Sequence, residues 1–144
     1  MTTQGIAEEG LTTIGQIVVT NTERFHPWRN GESVAIALLS SHAAGAPVVD
    51  DEGQYLGFIN ECDVLRTLTA QKDLTKLTAK DIMRRDLLTV SSQTNIHDDA
   101  DFMEAHRVVN LPVEENGVIV YSISRHDLLR ANLGISLDMG LNRA

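Results

Sequence analysis

The chain has one cysteine, Cys62, three prolines and only 4% aromatic residues. A lone cysteine excludes an intrachain disulfide and any multi-cysteine metal knot. The longest apolar run, Val34 to Leu39, is far short of the roughly 20 residues that span a bilayer, so no membrane insertion is expected. Basic runs with interleaved aromatics are also missing, and the formal charge of -8 sets up a field that repels polyphosphate chains. Nucleic acid is therefore not an expected partner. Met1-Thr2-Thr3-Gln4 lacks the basic start and apolar core of a secretory signal, and the first basic residue is Arg24; a cytoplasmic location is the expectation. No Ser-His-Asp order, nucleotide-hydrolysing phosphate loop or Cys-His nucleophile pair stands out, so no enzymatic activity and no catalytic cofactor are expected.

What is present is a repeat. Ala46-Pro47-Val48 through Asp63-Val64-Leu65 recurs as Leu111-Pro112-Val113 through Asp127-Leu128-Leu129. Gly53 matches Gly117, Ile59 matches Ile123, Asn60 matches Ser124 and Asp63 matches Asp127, while one residue near Val49 has no counterpart in the second copy. A unit of about 60 residues buries only about 60% of its unfolded surface, and two copies are fewer than a stacked array needs. Two copies sharing one core, related by a pseudo-twofold axis, are the expected solution.

Within each copy an apolar-Pro-Val step begins a strand, since proline is tolerated at a strand start. Asp51-Glu52-Gly53 and Glu115-Asn116-Gly117 read as hairpin turns, the second with the strong Asn-Gly signal. Tyr55 to Ile59 and Val118 to Ile123 return as partner strands, and helices follow over 63–70 and 127–133. Ahead of each Pro-Val step lies another helix, with Ser33 as the expected N-cap in copy one and Thr94 or Asn95 in copy two. Ile96, Ala100 and Met103 make one apolar face of the latter, and Asp98 and Asp99 sit in its first turn, where acids suit the dipole. Leu11, Ile14 and Ile17 to Val19 form a lead-in whose counterpart is Ala79 to Met83 followed by Leu87 to Val90. Residues 22–31 exceed the equivalent Ser91 to Thr94, so Phe25-His26-Pro27-Trp28-Arg29 reads as an insertion of the first half. The fold class is α/β (α+β) with two β-α-β-β-α repeats. Residues 1–10 form a polar tail, 11–70 the first repeat, 71–78 a linker, 79–134 the second repeat and 135–144 a C-terminal tail.

The stretch Gly45 to Leu65, the segment Ile123 to Leu129 and the lead-in Lys80-Asp81-Ile82-Met83 resemble the cystathionine β-synthase (CBS) domain, and the tandem pair resembles a Bateman module. The resemblance covers roughly residues 14–133. It implies the two sheets packed together in one module, a sensor of AMP, ADP, ATP or S-adenosylmethionine that binds in clefts between the repeats, and a homodimer of flat discs. The family's ribose motif of Gly, a hydroxyl residue and Asp falls on Gly57, Asn60 and Asp63 in copy one, and on Tyr121, Ser124 and Asp127 in copy two. Each copy departs once: Asn60 replaces the hydroxyl, and Tyr121 replaces the glycine. Adenine contacts fall by resemblance on Ala43, Ala44 and Ala46 with Val19 and Thr20, and on Val108, Val109 and Leu111 with Thr89 and Val90.

An ionised carboxylate can accept from both ribose hydroxyls, and the helix N-terminus beside it favours phosphate. Arg125 and His126 precede Asp127 where Glu61 and Cys62 precede Asp63, which ranks Asp127 above Asp63. The plainer alternative is that Ser124 with Asp127 and Asn60 with Asp63 are capping boxes. Both roles can coexist. His97-Asp98-Asp99 with Asp101 reads as first-turn acidity rather than a metal cluster, and His106-Arg107 as a solvated helix end. A structural or partner-binding dimer with degenerate clefts is the alternative, and the sensor reading implies a regulated protein encoded elsewhere.

Overall fold

The computed structural model describes residues 13–17, 22–86 and 88–133. Two hairpins organise it. In the first, β1 (Gly45–Val49) pairs antiparallel with β2 (Tyr55–Asn60); in the second, β4 (Asn110–Glu115) pairs with β5 (Val118–Ser124), and a short β3 (Val90–Ser91) adds parallel to β4. Asn116 and Gly117 both have positive φ (55° and 86°), the signature of the tight turn that Asn-Gly favours. Both hairpins carry a register shift at the same place, Val48/Val49 and Val113/Glu114, so the one-residue difference between the copies lies in the turn that follows.

Each hairpin lies between two longer helices. The first has α1 (Gly31–Ser41) and α2 (Glu61–Thr69); the second has α4 (Ile96–His106) and α5 (Arg125–Asn132). The N-cap of α1 is Asn30, whose Oδ1 accepts from the N–H groups of Glu32 and Ser33, so the cap falls three residues before the expected Ser33. Asn95 is its counterpart in α4 and accepts from the N–H of His97. Asn30 and Asn95 thus bring the two helices into register. A further consequence is that Phe25 to Asn30 match Val90 to Asn95 in length, which removes the expected insertion. Phe25 N–H donates to Pro47 O and Phe25 O accepts from Val49 N–H, both at 2.9 Å, so Phe25 bridges β1 as Val90 bridges β4. The expected lead-in strand of copy one is therefore centred on Phe25, a fully buried residue.

The lead-ins cross over. Helix α3 (Ala79–Ile82) belongs by sequence to the second copy, yet Ala79, Ile82 and Met83 pack in the core of the first with Phe25, Val34 and Leu38. Its Ala79 and Lys80 N–H groups donate to Arg29 O and Pro27 O. Conversely the 3-10 turn Ile14–Gln16 puts Ile14 and Ile17 into the core of the second copy with Ile96, Met103 and Leu111, and Ile14 and Gly15 N–H donate to Thr94 O and Ser92 O. The two cores are also tied through buried Asn110, whose Nδ2 donates to Gly45 O at 3.2 Å. Leu11, Val18, Val19 and Thr20 lie outside the described residues.

Asp99 corrects another expectation. It does not stand in water at the helix start but is fully buried, with both carboxylate oxygens unpartnered. Desolvation raises its pKa to about 6. No helix among the described residues is long and apolar enough to cross a membrane.

Candidate functional site

Strand pairing brings the predicted site residues of each copy together at the start of its last helix. Gly45 pairs with Asn60 and Ala46 with Ile59; Asn110 pairs with Ser124 and Leu111 with Ile123. The carbonyls just before those strands tie down the helix starts: Ala44 O accepts from Glu61 N–H and Val109 O from Arg125 N–H, both at 3.0 Å. Thr89, next to β3, and Val108 are half-buried. Thr20, assigned to the other half, is outside the described residues.

Both aspartates are buried, and both close a capping box. Asp63 Oδ2 accepts from Asn60 N–H at 2.9 Å, while Asn60 Oδ1 accepts from Asp63 N–H. Asp127 Oδ2 accepts from Ser124 N–H, and Ser124 Oγ accepts from Asp127 N–H at 3.1 Å. The remaining oxygen meets an arginine one turn on: Arg66 Nη1 lies 3.0 Å from Asp63 Oδ1 and Arg130 Nη2 3.0 Å from Asp127 Oδ1. The cation against Asp127 is thus Arg130, whereas Arg125 and His126 are exposed on the first turn of α5.

The copies differ in what lies beyond the cap. Arg84 Nε sits 3.3 Å from Asp63 Oδ2, off the line of a hydrogen bond, and no other acceptor satisfies it. Backbone bonds in both directions between Arg84 and Phe58, at 2.8 and 2.9 Å, hold it there. Gly57 permits this approach: a Cβ at that position would lie 2.5 Å from Arg84 O and 2.6 Å from Met83 Sδ. The glycine of the expected ribose motif therefore makes room for the crossed-over lead-in. Its counterpart Tyr121 is half-buried, and burial first, Glu115 second, raises its phenol pKa.

Arg84 also walls a narrow cleft between the copies. Tyr55 and Phe58 come from the first hairpin, Leu88 from the second lead-in, and Val108, Asn110 and Leu111 from the second copy; the space between them is about 10 Å³. Predicted adenine residues of one copy and the predicted ribose Asp63 of the other thus approach a common place through Arg84. Sequence reasoning missed Arg84 and Tyr55. The signal for the first was present in Arg84-Arg85, a basic pair following Ile82-Met83 in an acidic chain. The Tyr55 hydroxyl is buried without a partner, and its pKa is raised beyond the ordinary phenol range, mainly by burial and then by Asp86, with Arg84 opposing. Ser122 Oγ, on β5, is likewise buried and unpartnered. Buried donors without acceptors are uncommon.

Among the described residues no group of three His, Cys, Asp or Glu side chains could hold a metal ion. His106 Nδ1 lies 2.9 Å from Phe102 O and its ring stacks on Phe102.

The family model for the CBS domain matches residues 33–70 and 79–134. An uncharacterized protein of Methanocaldococcus jannaschii is 30% identical over 92 residues, covering 64% of this chain and 32% of its own length. This chain spans about a third of the length of the curated relatives it matches. A CBS domain pair solved with 5'-methylthioadenosine and S-adenosyl-L-methionine superimposes with a TM-score of 0.76 at 21% identity, over 87% of this chain and 98% of that one. CBSX2, solved with AMP, gives 0.73 at 23% identity, over 85% and 97%. With two matched segments that follow the two hairpins and their helices, the chain belongs to the CBS domain family and is a tandem pair of its repeats.

Proposed function

We propose that this pair is a regulatory sensor for an adenosine-containing ligand, AMP, ADP, ATP or S-adenosylmethionine, bound between the repeats. The observation that carries the reading is the inter-repeat cleft, where two buried groups lack acceptors, Tyr55 Oη and Arg84 Nε, beside the buried Asp63 carboxylate. A ribose diol can replace the imperfect Arg84 contact on Asp63 and free the guanidinium for a phosphate, a bidentate partner arginine suits well. Val108 and Leu111 supply the apolar wall for the base. The second clamp rests on Asp127 and Ser124, with Arg125 and His126 free to meet phosphate. Relatives solved with AMP and with S-adenosyl-L-methionine support the same ligand class. The module works as a homodimer in the cytoplasm, where a lone reduced cysteine is at home, and acts on another protein rather than by a reaction of its own.

Calorimetry against the four ligands tests this. Micromolar binding is expected, lost when Asp63→Ala and Asp127→Ala are combined; undiminished binding in that protein rejects the site. The cleft's volume of about 10 Å³, far below the roughly 300 Å³ of a typical ligand pocket, favours a second reading, a partner-binding dimer with closed clefts. No ligand-induced stabilisation across a broad metabolite panel would favour that one.

A further inference from the structure

Two buried clamps of the same design face different cations. At Asp127 the charge comes from Arg130, one turn on in the same helix and 3.0 Å from Oδ1. At Asp63, Arg66 plays that part at the same distance, and a second guanidinium arrives from another element. Arg84 Nε stands 3.3 Å from Asp63 Oδ2, the oxygen that already accepts from Asn60 N–H. Its sequence counterpart carries no charge. Ile14 and Gly15 donate to Thr94 O and Ser92 O as Ala79 and Lys80 donate to Arg29 O and Pro27 O, which aligns Arg84 with Val19.

The Arg84 contact is poor as a hydrogen bond and effective as a block. Nε is buried and finds no acceptor, yet the side chain is 40% exposed, so its outer edge reaches water, where Nη1 lies 3.7 Å from Asp86 Oδ2. Two backbone bonds to Phe58 fix the main chain of Arg84, and rotation about its side-chain bonds is enough to carry the guanidinium off Asp63.

We infer that Arg84 is a built-in competitor for the ribose carboxylate of Asp63, and that the first cleft therefore accepts adenosine ligands with a phosphate on the 5' carbon and rejects those without one. This rests on the sensor reading above and narrows its ligand class at one of the two sites. With the guanidinium in place the cleft is about 10 Å³, so ligand entry and Arg84 departure are one event. A guanidinium parted from a buried carboxylate must find another anion. AMP, ADP and ATP carry that anion, in a geometry that arginine meets with two parallel N–H groups. Adenosine brings no charge. It leaves the guanidinium with Asp86 among the described residues, at an exposed position where ion pairs contribute little. S-adenosylmethionine is worse, because it puts a sulfonium cation on the carbon that bears the phosphate in AMP. Arg66 and Arg130, matched in the two copies, do not distinguish them.

Calorimetry on the Asp127→Ala protein, in which the first clamp alone remains, tests this with AMP, adenosine and S-adenosylmethionine. AMP is expected to bind about tenfold more tightly than either of the others. Adding Arg84→Gln should tighten adenosine and weaken AMP, so that their ratio falls about fivefold or more; structural damage would weaken both. Arg84→Lys should restore most of the preference. Equal affinities for AMP and adenosine, or a preference that Arg84→Gln leaves unchanged, overturns the proposal and leaves the sensor standing. So does binding by wild type that Asp127→Ala abolishes with an unchanged circular dichroism spectrum, since the first cleft then takes no ligand. Where Asp127→Ala unfolds, Arg84→Gln in the otherwise wild-type chain carries the test, because the ratio must still fall. Binding of none of the three ligands by wild type removes the sensor reading and the proposal together.

Discussion

Val34 and Asp99 occupy the same place in the two copies, one turn into α1 and α4. Both are fully buried, but Val34 packs within the first core, whereas Asp99 puts a carboxylate with no hydrogen-bond partner at the matching site. The difference teaches that duplication preserves backbone register more strictly than side-chain chemistry. Four strands, four long helices and two caps stay matched while a core position changes from apolar to ionisable. The second copy therefore carries at this position a desolvation cost that the first does not.

The most severe way to break this contrast is to give the first copy the second copy's residue. Val34→Asp should cost on the order of 4 kcal/mol, since it buries an unpaired charge within Phe25, Leu38 and Ile82; urea unfolding measures it. The reverse exchange, Asp99→Val, should stabilise the protein at pH 7 by about 3 kcal/mol, the cost of a carboxyl pKa raised from 3.8 to about 6. A variant no more stable than wild type would show that Asp99 is not a liability.

The same residue predicts a pH dependence of definite sign. Because the folded pKa exceeds the unfolded one, the native state holds more protons between pH 4 and pH 6, and stability falls as pH rises through that window before levelling off. Exposed Asp73 and Asp81 act oppositely: their hydrogen bonds to Thr75 and Thr78 lower their pKa, so their contribution is lost below the ordinary carboxylate range. Urea midpoints should therefore be higher at pH 5 than at pH 7 in the wild type and nearly equal in Asp99→Asn.

A smaller effect probes the clefts. Gly57→Ala pushes a methyl into Arg84 O and Met83, and overpacking of this kind costs about 2 kcal/mol; a melting temperature within a degree of wild type would mean that the lead-in moves aside. Smallest is Asn60→Ser, which gives the first copy the second copy's cap. Both residues are good caps, so a change of only a few tenths of a kcal/mol is expected, measurable by calorimetry.

Much of this was legible in the chain. Pro47 and Pro112, the glycine turns and the alternating returns announced the hairpins, and Ser124 with Asp127 announced a cap because its spacing is local. What involved distant residues was not legible. Phe25 makes one parallel bridge, too short to produce periodicity, so its segment read as an insertion. Asn30 does not stand out as a cap in the sequence because Ser33, of similar propensity, lies closer to the apolar run. Asp99 looked like its solvated neighbour Asp98, since helical phase at a helix start is set by the cap. Arg84 reaches Asp63 only after the chain has crossed from one copy to the other, and no local pattern records that crossing.

That crossing makes the covalent link between the copies dispensable once the protein has folded. Because Ala79 to Met83 complete the first core and Ile14 and Ile17 the second, a break at residues 71–73 would yield two fragments clasped like hooked fingers, each missing part of its own interior when alone. Neither fragment would be a stable half, yet the two mixed together should reconstitute the whole, and unfolding of the intact chain should proceed in a single step.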